Sequence, residues 1–130
     1  MTKEVFGSNI IHAYTRADAL ADGEQIDATQ TAREAGIAYP VFLTRAVFDS
    51  YVTVPPGVIG QDESGRLWDI LWMLRNEIKS QVQTPNALTY SLFVRNDNRT
   101  PRLVNLLAVC GPVDIDNDSP AITIMMPDED

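Results

Sequence analysis

The strongest secondary-structure signal in the chain is DESGRLWDILWMLRNEIKSQVQ, residues 62–83. Its apolar residues recur at spacings of three and four, which places them on one face of an α-helix. Asp62 at the start is typical of a residue that caps a helix, and the segment Thr84-Pro85-Asn86 is typical of a helix end. We therefore predict a long helix from Ser64 to Gln83. The residues on its apolar face are Leu67, Ile70, Leu71, Leu74, Ile78 and Val82.

Two tryptophans, Trp68 and Trp72, form a second apolar stripe beside the first one. A helix with two such stripes is usually buried on more than one side. The alternative is that the tryptophans form an interface with a second copy of the chain. An open edge of a sheet is another surface through which such a dimer could form.

After the long helix, apolar residues alternate with a period of two, which is typical of β-strands. We predict strands from Leu88 to Arg95, from Arg102 to Cys110 and from Ala121 to Met126. Both faces of the second strand are apolar, which indicates a position in the middle of a sheet. Gly111-Pro112 is expected to end that strand. The three strands together predict an antiparallel meander.

The N-terminal half is expected to contain short helices separated by turns. We predict three of them, over residues 16–22, 29–36 and 45–50. Thr15 and Thr44 are typical capping residues for the first and the third. The predicted fold class is therefore α+β, with an antiparallel β-meander packed on one long amphipathic helix and short N-terminal helices around it.

The composition excludes several classes of protein. With one histidine, His12, and one cysteine, Cys110, the chain lacks the ligand set of a zinc site and the cysteine pairs of a disulfide-stabilised domain. An apolar fraction of 45% is enough for one core, so we predict a single globular domain over residues 1–130. No apolar run approaches the roughly 20 residues that span a bilayer. We expect a cytoplasmic protein without a metal or a cofactor.

The net charge of −8 disfavours direct binding to nucleic acid, whose phosphates a protein must neutralise. The acidity has two interpretations, which are solubility alone or an acidic face that occupies a basic protein partner by imitating a nucleic acid. The candidate partner-binding residues surround the start of the long helix, where helix capping explains them equally well. They are Gln61, Asp62, Glu63 and Asp69.

Two clusters are candidates for binding a small anionic ligand. Three arginines around one predicted hairpin turn could hold a phosphate or a carboxylate through paired hydrogen bonds. The alternative is that they pair with Asp97 and the acidic residues of the next loop. The second cluster lies where a short strand-like run, residues 9–14, meets the first predicted helix. The candidates are His12, Tyr14, Arg16, Arg95, Asn96, Asp97, Arg99 and Arg102.

The stretch from His12 to Ile26 resembles the ADP-ribosyltransferases that modify antibiotics. Those enzymes carry a histidine and then a threonine at the end of their first strand, followed by a short helix and a glycine, as His12, Thr15 and Gly23 stand here. The spacing from His12 to Thr15 is one residue longer than in those enzymes, and the chain lacks their tyrosine motif and catalytic acid. A structural role for His12 is the alternative.

Longer strings are spread over nearly the whole chain: HAYTRADAL at 12–20, LTRAV at 43–47, GQDESGRLWD at 60–69, RNDNRTPRL at 95–103, AVCGP at 108–112 and ITIMMPDED at 122–130. In these strings the chain resembles a family of small uncharacterised proteins carried by proteobacterial plasmids and integrative elements. The resemblance implies a bacterial, cytoplasmic accessory role on mobile DNA, and it brings no activity and no catalytic residues.

Two hypotheses for the function follow. The first is a non-enzymatic acidic accessory protein of a mobile genetic element that binds a protein partner. The alternative is a protein that binds a nucleotide or another small ligand, or an ADP-ribosyltransferase-like enzyme, through the His12 region and the hairpin from Arg95 to Arg102.

Overall fold

The computed structural model describes residues 3–6, 9–83 and 85–129, and of residues 3–6 and 9–12 it describes the backbone. Within this part of the chain the helices are α1 (Arg16–Asp22), α2 (Thr29–Glu34), α3 (Arg45–Val47) and α4 (Glu63–Ser80), and a π-helical turn, Phe48–Val52, follows α3. The strands are β1 (Lys3–Phe6), β2 (Asn9–His12), β3 (Gln25–Asp27), β4 (Val41–Thr44), β5 (Ala87–Val94), β6 (Arg102–Asp114) and β7 (Asn117–Met125).

Five strands form one mixed sheet in the order β3-β4-β7-β6-β5, and β1 pairs with β2 in a separate hairpin. β5, β6 and β7 pair antiparallel in chain order, as the sequence predicts. β4 lies parallel to β7, with Val41 beside Ile122, and β3 pairs antiparallel with β4. The fold is therefore α+β. The prediction of a three-stranded sheet was too small, because β4 is a run of only three apolar residues whose parallel partner lies far away in the sequence.

The core lies between α4 and one face of the sheet. The hydroxyl of Tyr90 on β5 donates a hydrogen bond to the carbonyl of Ile70 on α4, at 3.1 Å. The predicted apolar face of the helix is confirmed as far as Ile78, which packs against the core, but Val82 is fully exposed because the helix ends at Ser80. The completely buried residues of α4 are Ile70, Leu71 and Leu74.

The tryptophan stripe is not buried on a second side of α4, so of the two interpretations of this stripe the one that remains is an exposed surface. Trp68 and Trp72 are 36% and 38% exposed. Their rings stack nearly parallel, with centroids 5.7 Å apart. The rings point away from the sheet and remove part of each other's surface from water by stacking.

β6 lies between β5 and β7, which confirms its predicted central position, but its two faces differ in burial. Leu106 and Ala108 point towards α4 and are buried. Leu103 and Asn105 point the other way and are exposed. The sheet therefore has one face in the core and a second face that is partly open.

β6 does not end at Gly111-Pro112, as predicted, but continues to Asp114. β5 pairs with β6 no further than Val109, so beyond that point β6 and β7 form a two-stranded ribbon. In this ribbon Pro112 lies opposite Pro120. A proline is tolerated there because no third strand requires its missing N–H group.

α1 has a complete N-terminal cap, which confirms Thr15 as its capping residue. Thr15 and Asp18 form a reciprocal capping box. Asp114, at the end of β6, accepts hydrogen bonds from the backbone N–H groups of Arg16 and Ala17, at 3.0 Å each. The N–H groups that a helix leaves unpaired at its start are all bonded here. α1 is thereby attached to the end of the sheet.

α1 also covers part of the second face of the sheet. Phe42 alternates with the core residues of β4 and so points to this second face. The guanidinium carbon of Arg16 lies 4.2 Å from the centroid of its ring, and the Arg16 Nη1 donates to the side chain of Gln25 at 2.7 Å. The β4 side of the second face is therefore closed, whereas the side formed by β5 and β6 is left open.

The substitution Leu74→Ala is expected to lower the free energy of unfolding by about 2–5 kcal/mol, because it leaves a cavity at a completely buried position. The control Val82→Ala removes apolar atoms from a fully exposed side chain and should change stability by no more than about 0.5 kcal/mol. Urea unfolding of both variants measures the difference. Equal stability of the two variants would contradict the position of the core.

A pH dependence is expected from Asp114. Desolvation acts to raise the pKa of this carboxyl group. The hydrogen bonds that it accepts from the backbone N–H groups of Ile115, Ala17 and Arg16 lower the pKa, and the net pKa lies below the ordinary value of 3.8. The stability that a depressed carboxyl pKa provides is present above the unfolded-state pKa and is lost as the pH falls through the folded-state pKa.

Asp114→Asn should therefore destabilise the protein at neutral pH. The difference in stability between this variant and the native chain should become smaller below pH 3.8. Unfolding midpoints measured across the acid range check this. Asp116→Asn, in the adjoining turn, removes the same charge without removing a described hydrogen bond. If the difference between the native chain and the Asp114→Asn variant is independent of pH, the carboxylate charge has no part in the cap.

Candidate functional site

The guanidinium of Arg66, near the start of α4, is buried and joins three separate segments. Its Nε donates to the carbonyl of Tyr51 at 2.8 Å, and its Nη1 donates to the carbonyl of Arg95 and to the Oε1 of Gln61, at 3.0 and 3.1 Å. Its Nη2 donates to the Oδ1 of Asn96. These acceptors are all neutral. Burial lowers the pKa of Arg66, and the positive charge of Arg95 lowers it further.

The loop over residues 57–61 and the hairpin turn over residues 95–98 also bond directly to each other. The Nη2 of Arg95 donates to the carbonyl of Ile59 at 2.6 Å. Asn98 donates to the carbonyl of Gly57 and accepts from the N–H of Ile59. We call these bonds, together with those of Arg66, the Arg66 network. Its polar groups are turned towards each other, which gives them a structural role.

The candidate partner-binding residues fall into two pairs. Asp62 accepts from a backbone N–H in the first turn of α4, at 2.7 Å, and Gln61 donates to the carbonyl of Arg95 at 2.8 Å. Both have structural roles. Glu63 and Asp69 are exposed on α4, and partial burial raises the pKa of Asp69. Of the four, these two are placed where a partner can reach them.

The candidate ligand-binding residues do not converge on one place. Tyr14 and Arg16 lie at the start of α1, where Tyr14 donates to Asp22 at 3.0 Å and the Nε of Arg16 donates to the carbonyl of Val113 at 2.6 Å. The turn from Arg95 to Arg102, which we call the arginine hairpin, lies at the opposite end of β6, since this strand begins at Arg102. The strand between these two ends is about 36 Å long at the usual rise per residue.

Within the arginine hairpin, Asp97 accepts hydrogen bonds from the N–H groups of Arg99 and Thr100. These bonds lower the pKa of the Asp97 carboxyl group. The side chains of Arg99 and Arg102 are exposed. The side chain of His12 lies outside the described residues, so its predicted place in a ligand site stays a prediction.

The second face of the sheet exposes two large apolar side chains that lie side by side. Phe93 on β5 and Leu103 on β6 lie opposite each other in the register and are 67% and 60% exposed. The next pair on this face, Ser91 and Asn105, is joined by a side-chain hydrogen bond of 2.6 Å. Beyond this polar pair, three partly buried apolar residues lie on the same face of β6 and β7. The apolar residues of this surface, which we call the open face, are Phe93, Leu103, Leu107, Val109 and Met125.

The open face was not selected from the sequence, because both faces of β6 are apolar there and indicated only a central position in the sheet. A signal for it existed in β5. Phe93 lies between Leu92 and Val94 in the strand, so its side chain falls on the face opposite to theirs. A large aromatic residue at such a position indicates an apolar surface that the chain's own core does not use.

Replacing Arg66 by lysine is expected to lower the free energy of unfolding by at least about 1–3 kcal/mol, the cost of leaving buried acceptors without a donor. A lysine ammonium cannot reach acceptors on opposite sides of the planar guanidinium. The control Arg45→Lys alters an exposed pair with Asp49, at 3.3 Å, and should cost no more than about 0.5 kcal/mol. Urea unfolding compares them. Full stability of Arg66→Lys would show that the positive charge alone suffices.

The described residues show neither a metal site nor a membrane-spanning helix. Among the described residues, no group of three or more histidine, cysteine, aspartate or glutamate side chains is placed to hold a metal ion. No helix in this part of the chain is long and apolar enough to cross a membrane.

No curated protein and no solved structure matches the chain. A family model matches residues 1–130, and the chain thus belongs to a family of unknown function, DUF6573.

Proposed function

We propose that the protein acts by binding another protein through the open face. The observation that carries this proposal is the pair Phe93 and Leu103, two large apolar side chains that lie side by side on regular strands, each more than half exposed. Single exposed apolar residues are normal on protein surfaces, whereas a contiguous patch is typical of an interaction site. Covering this patch removes apolar surface from water, which favours association.

The charge of the protein indicates the kind of partner. A net charge of −8 favours a basic protein, since complementary charge speeds association and sets orientation. Acidic residues, Asp116 and Asp118, lie at the β6–β7 turn, and the arginine hairpin lies at the other end of β6. The expected orientation places the most basic part of the partner at the β6–β7 turn.

The setting is the one that the family resemblance implies, namely an accessory protein of a plasmid or integrative element in a bacterial cytoplasm. A host protein that handles nucleic acid is a basic partner of this kind. Occupation of such a protein requires no catalysis by the chain described here.

A second copy of the chain is the second candidate partner. The two ends of β6 carry opposite charges, with Asp116 and Asp118 near one end and Arg99 and Arg102 near the other. When two open faces meet across a two-fold axis perpendicular to β6, the acidic end of each copy lies against the basic end of the other. Ligand binding through the His12 region and the arginine hairpin has less support, because Arg16 and the hairpin lie at opposite ends of β6.

A photo-crosslinking amino acid at position 103 tests the proposal inside the host cell. Leu103 is one of the two most exposed residues of the open face, so irradiation is expected to give an adduct with one discrete protein. The control position is Val82, which is fully exposed but lies outside the open face. The added substitution Phe93→Thr should abolish the adduct, since threonine keeps the preference for a strand and removes the aromatic surface.

The mass of the adduct separates the two candidate partners. An adduct of twice the mass of the chain identifies a homodimer, and any other discrete mass identifies a different protein. The absence of a discrete adduct at position 103, or an equal adduct at position 82, would contradict binding through the open face.

A further inference from the structure

A cavity of about 300 Å³ lies between the C-terminal half of α4, the core face of the sheet and the segment that leads from α2 to β4. This volume is at the lower end of the range for sites that bind small organic ligands. The cavity is on the opposite side of the sheet from the open face and is therefore a separate site. Its apolar lining includes Ile37, Leu74, Ile78, Leu88, Ala108 and Ile122.

Arg75 supplies a cation to this largely apolar cavity. Its guanidinium lies over the ring of Trp72, with the guanidinium carbon 4.7 Å from the ring centroid. On another side the backbone of Gly36 approaches, and a Cβ atom there would lie 3.6 Å from the Arg75 Nε. The Nη1 donates to the Oδ1 of Asn76 at 3.2 Å. These contacts hold the plane of the guanidinium in one orientation.

The other edge of the guanidinium is left without acceptors among the described residues. The Nε of Arg75 is buried and has no hydrogen-bond partner. A buried donor without an acceptor costs free energy, so a native structure usually supplies a partner from the protein, from water or from a ligand. The Nε–H and Nη2–H groups of an arginine are parallel and match the two oxygens of a carboxylate.

The charge around the cavity also favours an anion. Lys79 lines the cavity beside Arg75, and none of its described lining residues is an aspartate or a glutamate. This absence is notable in a chain with 18 acidic residues and only 10 basic ones. We propose that the cavity binds a small amphipathic carboxylic acid, with its carboxylate on the Nε and Nη2 of Arg75 and its apolar part against Leu74, Ile78 and Ile122.

Octanoate and octanol are a matched pair of probes, since they share one apolar chain and differ in the carboxylate. Calorimetry with the full chain is expected to show saturable binding of octanoate and binding at least about tenfold weaker for octanol, because hydrogen bonds to charged groups are the stronger ones. Arg75→Gln should weaken octanoate binding about tenfold or more and leave octanol unchanged. The control Arg45→Gln, at an exposed arginine outside the cavity, should leave both unchanged.

Cys110 provides a second readout that locates the ligand. It is the single cysteine of the chain, it is only partly buried, and it lines the cavity. Bound octanoate is therefore expected to slow alkylation of Cys110 by iodoacetamide. Ala108→Leu fills the cavity while keeping Arg75, and it should abolish both octanoate binding and the protection of Cys110.

The Ala108→Leu variant also decides the question if Arg75→Gln fails to fold, which a thermal unfolding scan of each variant shows. Equal affinities for octanoate and octanol, or octanoate affinity unchanged in a folded Arg75→Gln variant, would overturn the role of the carboxylate. The absence of saturable octanoate binding to the native chain would overturn the site itself.

Discussion

The fold depends on the burial of one cation, Arg66, without a carboxylate partner. Taking a charge out of water costs several kcal/mol unless hydrogen bonds replace its hydration, and here neutral oxygens from residues 51, 61, 95 and 96 do so. The helix dipole disfavours a positive charge near the start of α4. The negative charges of Asp62 and Glu63 at the same end offset this unfavourable interaction. Because the acceptors come from three segments, the bonds form only when all three segments are in place. The burial of Arg66 therefore couples the folding of these loops to the packing of α4.

This network also determines where binding surfaces remain. The loops over residues 57–61 and 95–98 are the polar loops that would be first candidates for function, since loops often carry it. Their side chains bond to one another and to Arg66, so they offer few free groups to a ligand. The two proposals rest on groups outside these loops, namely the exposed apolar residues of the open face and the Nε of Arg75, which has no hydrogen-bond partner. The surfaces proposed for binding thus use side chains that the fold leaves exposed or without a hydrogen-bond partner.

Much of the architecture follows from local patterns. The period of the apolar residues predicts α4 and the meander, and the caps Thr15, Thr44 and Asp62 are all found. What local patterns do not contain is which face another element covers. For that reason the sequence left open whether Trp68 is buried, and the parallel strand β4 was missed. The buried place of Arg66 had a signal, because Arg66 precedes Ile70 and Leu74 at spacings of four and eight on the apolar face.

The open face and the cavity share one strand, β6, whose alternate side chains point to opposite sides. Ala108 and Cys110 line the cavity, and Leu107 and Val109 belong to the open face. Two sites influence each other only if a part of the structure has two arrangements that the two ligands favour differently. From Leu107 to Val109 β6 is paired with β5 on one side and β7 on the other, and its backbone is held in one register by both. A ligand in the cavity therefore meets a strand without a second arrangement to select, and the two sites are expected to bind independently.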